Sequence, residues 1–445
     1  MHNARVTLFA LLAAPALAQA SWSQLYTAVS PPPQEASMVC FEPTGEVLLL
    51  FGRYPGTPPT QGWRLQGSTW SAMPLPVIGL AYVGLTYDSN RQRVVAFGGS
   101  SPLNNDVWEW NGAQWTHPNP IVRPTARERF AIAFDRARGV VVVFGGLNAG
   151  TYLSDLWEWN GAAWTQRAAS TPLGPRAYSL AAFDPVRQDV LVYGGLAPLY
   201  NGTLVFNDTW SWDGTAWTHQ TPATPPPYDV LGAIVTDLHR QRVILYGGSS
   251  GDGLTREWDG SEWTAKPPPS PGPRVLGALA YDTQLRRTVL FGGTSQGNWV
   301  PDTWVYQTPL PADVVPFGSG CAGTAGLPSL AAAAFVLPWL GDTMRNVVQS
   351  VPAGEPGAIF VSSFGSTSPV PLAAVGMPGC ELLVPLDVAE FRAAVAGRAE
   401  WTTAIPNTTA LAGTTFRQQA FVLDAGANAL GLVASNGVVV TLGVR

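Results

Sequence analysis

The chain has 445 residues, 46% apolar and 12% charged, with 47 Gly, 40 Pro and 18 Trp. That length holds two or three ordinary domains, and the low charge excludes a chain kept disordered by self-repulsion. A net charge of −5 gives no electrostatic basis for binding nucleic acid or an anionic membrane.

Residues 1–20 read as an export signal. Arg5 supplies a positive charge, Val6 to Leu17 form an apolar run, and Ala18-Gln19-Ala20 has the small-x-small form of a signal-peptidase site. The run is shorter than the roughly 20 residues that a membrane-spanning helix needs, and no later stretch supplies one. The mature chain is therefore expected to begin near Ser21 and to lie outside the cytoplasm: secreted, at the cell surface or in a periplasm, with no transmembrane segment.

Repetition dominates residues 21–309. An aromatic residue followed by Gly recurs at Phe51, Phe97, Phe144, Tyr193, Tyr246 and Phe291, a period near the 40–50 residues of propeller blades. The third unit shows four strands' worth of pattern: RFAIAFD, VVVVFGG, DLWEWN and AAWTQ. Asn160-Gly161, like Asn111-Gly112, Asp213-Gly214 and Asp259-Gly260, predicts a two-residue type I′ hairpin between the last two strands. Most Trp fall in register: Trp108, Trp157, Trp210 and Trp304 on the third strand, with Trp110, Trp159, Trp212 and Trp258 two residues on. Trp70, Trp115, Trp164, Trp217 and Trp263 begin the fourth strand. Such periodic placement predicts indoles packed between blades, with each N–H reaching a neighbouring acceptor. The sixth unit stops after Asp302-Thr303-Trp304-Val305-Tyr306, and Ser21-Trp22-Ser23-Gln24-Leu25 resembles the missing fourth strand. This N-terminal segment is expected to close the last blade, leaving no open sheet edge.

Units reading strand-FGG-loop-D-x-W-x-W-NG-x-x-W resemble kelch repeats, as in the central domain of galactose-oxidase-like proteins. The resemblance implies a six-bladed kelch-type β-propeller over residues 21–309. Radical copper oxidases of that kind take a His ligand from their C-terminal domain, and residues 310–445 contain no His. Sialidases, also six-bladed, grip a carboxylate with three Arg, but their S-x-D-x-G-x-x-W boxes are missing here.

Residues 310–445 lose the Trp pattern. Short apolar runs at 358–361, 381–384, 419–423, 430–433 and 438–442 alternate with Gly, Pro and Asn. They predict a β-sandwich of about eight strands, with Asn436-Gly437 turning between the last two. GSGCAGTAGLP, the later GC, IPN, QAFVLD and SNG resemble a C-terminal module of secreted bacterial proteins, which implies an extracytoplasmic location rather than an activity. Cys321 and Cys380 sit in Gly-rich turns, and export makes a disulfide between them the expected pairing. Cys40 occupies the strand slot of Thr86, Ala133, Ala182, Val235 and Ala280, a small core position, and is expected to be a free buried thiol.

Eight residues before the acidic residue ending each first strand, the units carry Gln34, Leu80, Arg127, Arg176, Asp229 and Arg274. Propeller topology puts these on the face of the long second-to-third-strand loops, with Tyr178 and Tyr228 beside them. Arg127, Arg176, Arg274 and Asp229, with the two tyrosines, are the candidate ligand-binding set. A ring of guanidinium forks suits a carboxylate, sulfate or phosphate, and its structural alternative is Arg bonded to loop carbonyls. No zinc spacing, phosphate loop, G-x-S-x-G or C-x-x-C is present, so neither metal nor cofactor is expected. Two functions remain open. One is an extracellular binding or adhesion module for a glycan or a protein. The other is a hydrolase or lyase acting on an acidic saccharide at an Arg-lined mouth.

Overall fold

The computed structural model describes residues 20–444, except 33–34, 54–61, 75–81, 101, 169, 200–201, 228–229, 267–270, 309–311, 334–335, 366–367 and 409–410. Residues 1–19 of the expected export signal lie outside the described residues, as do Gln34, Leu80, Tyr228 and Asp229. The Cys40 side chain is likewise not described. The rest is all-β, and among the described residues no helix is long and apolar enough to cross a membrane. The chain divides into two compact units, Ser21–Gln307 and the residues from Thr308 onward.

The first unit contains six four-stranded antiparallel sheets. In the third blade the strands are Ala131–Asp135, Val140–Asn148, Thr151–Trp159 and Trp164–Ala168, each hydrogen-bonded to the next. The innermost strands of the six blades contact one another in a closed ring. Ser21–Gln24 pairs antiparallel with Thr303–Gln307, in the register Trp22 to Tyr306, and so supplies the fourth strand of the sixth blade. Apolar clusters lie between successive blades: Val95, Phe97 and Val107 of the second blade pack with Val141, Val143 and Trp164 of the third. A cavity of about 170 Å³ runs between innermost strands, lined by residues such as Leu85, Ile132, Ala181, Ile234 and Leu279.

The third-to-fourth-strand connections correct the type I′ expectation. Trp159 pairs with Trp164, which leaves four residues in the turn rather than two. Asn160 keeps a negative φ, and its Oδ1 accepts the N–H groups of Ala162 and Ala163, both at 2.9 Å. The side chain thus closes an Asx turn, a use of Asn and Asp that competes with the primed hairpin.

From Thr308 onward, eight strands form one continuous antiparallel sheet. Its first two strands, Asp313–Phe317 and Leu330–Ala332, approach each other at its ends, so the sheet is nearly a closed barrel. Phe360, Val361, Val422, Val438 and Val440 are buried together with Met344, Val348 and Ala399 in the core of this unit. Asn436-Gly437 is not a turn, contrary to the pattern. It lies inside the ten-residue strand Leu432–Thr441. Asn436 Oδ1 accepts the Leu330 N–H at 2.8 Å, Asn436 Nδ2 donates to Leu330 O at 3.0 Å, and a Cβ on Gly437 would strike the Phe317 ring. Cys321 and Cys380 are disulfide-bonded, with Cα atoms 4.9 Å apart.

Candidate functional site

The second-to-third-strand loops and the entries to the innermost strands share one end of the propeller, here termed the loop face. The second and third strands of the third and fourth blades extend beyond the common pattern, to Asn148↔Thr151 and Leu199↔Gly202, and project hairpins from that face. In the sixth blade a small hairpin, Thr294–Ser295 with Asn298–Trp299, projects similarly.

Arg127, Arg176 and Arg274 all lie at this end, but they do not form a common mouth. Each is buried, at 0%, 2% and 4% exposure, and each binds within its own blade. Arg127 forks onto Asp155 at 2.7 and 2.8 Å and donates to Gly145 O at 2.9 Å. Arg274 repeats this on Asp302 and Gly292 O, at 2.7 and 3.1 Å. Arg176 donates to Asp208 at 2.8 Å and to Gly194 O at 3.2 Å, with its guanidinium 3.7 Å from the Phe206 ring centre. Asp155, Asp208 and Asp302 also accept an N–H from Trp157, Trp210 and Trp304. Burial would raise the Asp155 carboxyl, but the Arg127 fork and the Trp157 N–H hold it below the usual carboxylate range. Burial pulls Arg176 down, and Asp208 opposes that shift. The expected shared anion site at the three arginines is therefore corrected: their charges are already neutralised and their forks filled.

Two residues after Arg127 the chain does something the sequence pattern hid. Tyr82, Arg129, Tyr178, Leu231 and Leu276 stand at one equivalent position, and all five are non-glycine residues with φ between 55° and 64°. Holding such residues left-handed costs on the order of 1 kcal/mol each. Tyr178 N–H donates to Arg129 O, and Leu276 N–H to Leu231 O, both at 2.8 Å. Arg129 with Tyr178, and Leu231 with Leu276, thus meet across adjacent blades at the mouth where the innermost strands begin.

Within that mouth, Arg129 reaches both tyrosines. Its guanidinium carbon lies 4.4 Å from the Tyr82 ring centre and 4.9 Å from that of Tyr178, within cation–π range. The Arg129 side chain is 24% exposed, and its Nε is 3.9 Å from Glu128 Oε1, too far for a hydrogen bond. That Nε is buried without a hydrogen-bond partner. Burial would lower the Arg129 pKa, but a hydrogen bond with Tyr82 and the neighbourhood of Tyr178 and Glu128 raise it, so the cation is secure. Of the residues expected at the site, Tyr178 belongs to this cluster, while Tyr82 and Arg129 were missed. Their signal was the position six residues before the strand-ending acid, where neighbouring units carry Tyr, Arg and Tyr.

At the opposite end, Arg136 of the third blade forks onto Glu42 of the first at 2.6 and 3.3 Å, beside the axial cavity. Among the described residues, no group of three or more His, Cys, Asp or Glu is placed to hold a metal ion.

No family model and no curated protein matches this chain. Among solved structures, one described as SapL1 lectin in complex with alpha methyl fucoside aligns at 15% identity with a TM-score of 0.39. The alignment covers 63% of this chain and 97% of that one.

Proposed function

We propose that this chain is a secreted binding module whose propeller recognises a glycan at the loop face. The observation that carries the reading is the partly exposed Tyr82–Arg129–Tyr178 cluster, fixed by left-handed backbone at the central mouth and flanked by projecting hairpins. Loops on a rigid scaffold are the usual seat of recognition. Phenol rings and a guanidinium offer a sugar both donors and flat apolar surface. Secretion is supported by the Cys321–Cys380 disulfide and by the apolar N-terminal run. The hydrolase or lyase alternative drew its catalytic charge from Arg127, Arg176 and Arg274, which are occupied inside the blades.

A glycan array probed with labelled mature protein tests the reading. Binding is expected, with Arg129→Ala and Tyr178→Ala each weakening it at least tenfold at an unchanged melting temperature. Binding that tolerates both substitutions places the ligand elsewhere. Capture of proteins but no glycan would make it a protein receptor, and cleavage of a bound glycan would revive the enzyme.

A further inference from the structure

Arg129 differs from the other arginines at this end in what its guanidinium touches. Arg127 and Arg274 each meet an aspartate with both arms, and Arg176 meets Asp208 and two carbonyls. Arg129 lies over the rings of Tyr82 and Tyr178, hydrogen-bonds Tyr82, and has, among the described residues, no carboxylate within hydrogen-bonding distance. Aromatic contact strips hydration from the cation, and the edge N–H groups that Tyr82 does not take remain to find partners. A planar pair of oxygens matches that edge, which is why guanidinium prefers carboxylates in bidentate geometry. The Arg129 side chain is 24% exposed, so a ligand oxygen can reach its accessible N–H groups, while the buried Nε makes no hydrogen bond within the protein.

We infer that Arg129 is the anion anchor of the loop face, and that the saccharide bound there is a sugar acid whose carboxylate docks on the guanidinium edge. The inference rests on the glycan-binding reading above and adds the class of sugar. A sugar acid suits the place better than a simple anion, since hydroxyls next to its carboxylate meet the Tyr82 and Tyr178 phenols flanking the cation. The charge needs no help from the rest of the molecule, which is net negative. Recognition is therefore local and specific to this cluster.

Two measurements on the whole mature chain test it. In the first, the Nε–Hε NMR resonance of Arg129, assigned by its loss in Arg129→Gln, is followed while glucuronate, glucose, acetate or sulfate is added. The expected result is a saturable shift with glucuronate, at least tenfold weaker with acetate or sulfate, and none with glucose. Equal responses to acetate or sulfate overturn the sugar-acid assignment, and no response to glucuronate overturns the anchor. In the second, binding to polygalacturonate is compared with binding to its methyl ester, in wild type and Arg129→Gln. Loss of at least tenfold on esterification, matched by Arg129→Gln, is expected. Equal binding to both polymers, unchanged in Arg129→Gln, sinks the anchor while leaving glycan binding standing. If glucuronate shifts the resonance but no polymer or array glycan binds, the anchor survives and the glycan-receptor reading falls.

Discussion

The indole N–H of a blade's fourth-strand Trp faces the residue at one equivalent position on the preceding blade's third strand, three residues before Leu65, Trp110, Trp159, Trp212, Trp258 or Tyr306. Where that residue is Thr, a bond forms: Trp22 to Thr255 at 2.7 Å, Trp70 to Thr303 at 3.0 Å and Trp263 to Thr209 at 3.1 Å. Where it is Val107, Leu156 or Gly62, the indoles of Trp164, Trp217 and Trp115 are buried without a partner. Val107→Thr keeps nearly the same volume and supplies an acceptor to Trp164. It is expected to raise stability by about 1 kcal/mol, whereas Thr255→Val should cost about 1–2 kcal/mol. Chemical denaturation of both variants checks the pair, and equal losses in both would mean that the indole bonds contribute nothing. A second indole contact follows similar logic. Trp159, Trp212 and Tyr306 donate to Glu109, Glu158 and Glu257 of the preceding blade. The fourth blade has Ser211 in place of Glu, so Trp258 turns to Asp184, and Asp189 takes up the space beside it. Burial, reinforced by the charge of Asp184, pushes the Asp189 carboxyl up to about 6, and its Oδ1 has no partner. The value lies above the unfolded one of about 3.9, so the folded chain binds more protons between those limits and stability falls as pH rises through that window. Asp189→Asn should then leave stability at pH 4 nearly unchanged and raise it at pH 8, by at most about 3 kcal/mol. A gain that is the same at both pH values would show that Asp189 does not titrate there.

Blades are joined by the two glycines after the aromatic residue. Gly99, Gly146 and Gly248 donate N–H to the carbonyls of Arg127, Arg176 and Arg274, each on the next blade, at 2.8–2.9 Å. The first glycine of each pair must let that carbonyl in. A Cβ on Gly145 would stand 2.6 Å from Arg176 O, and its φ is +64°. Gly145→Ala should therefore cost about 2–4 kcal/mol, from strained backbone plus the clash. A melting temperature within a degree or two of wild type would show that the junction yields freely. The repeat of FGG, D-x-W and Arg was legible in the sequence because a blade is a local unit whose contacts recur at fixed spacing. The partner of Arg127 was not, since Asp155 lies 28 residues away and only folding shows that the fork closes inside the blade. Asn-Gly misled for a related reason. At Asn160 the side-chain oxygen captures two backbone N–H groups, and at Asn436 the amide pairs across the sheet with Leu330, so neither residue is free to make a primed turn. The Arg129 cluster left only a shared repeat position as its trace, because Tyr82 and Tyr178 come from the blades on either side of it and meet only when the ring forms.

At the scale of the molecule, two devices hold long segments of chain together. In the C-terminal unit the disulfide joins cysteines 59 residues apart, a loop whose closure is worth about 4 kcal/mol in the chain-entropy account. In the propeller the two ends meet without a covalent bond. Ser21–Gln24 adds four residues of pairing to Thr303–Gln307, and Trp22, 4% exposed, packs against Tyr246 and Tyr306 with ring centres 5.0 and 5.1 Å away. Trp22 also hydrogen-bonds to Thr255 in the fifth blade, so one residue ties the closing strand both to its own sheet and to the neighbouring blade. Removing the strand would expose the edge of Thr303–Gln307 and reopen the ring, and open edges invite pairing between chains. Trp22→Ala keeps the backbone ladder and removes only the wedge, at a cost of about 3–5 kcal/mol. Deletion of Ser21–Leu25 removes both, so it should lower the melting temperature further and add concentration-dependent association. Calorimetry with light scattering separates the cases. If the deletion melts no lower than Trp22→Ala and stays monomeric, backbone pairing contributes nothing to closure. If neither variant changes the melting curve, the ring is held by the contacts between blades alone.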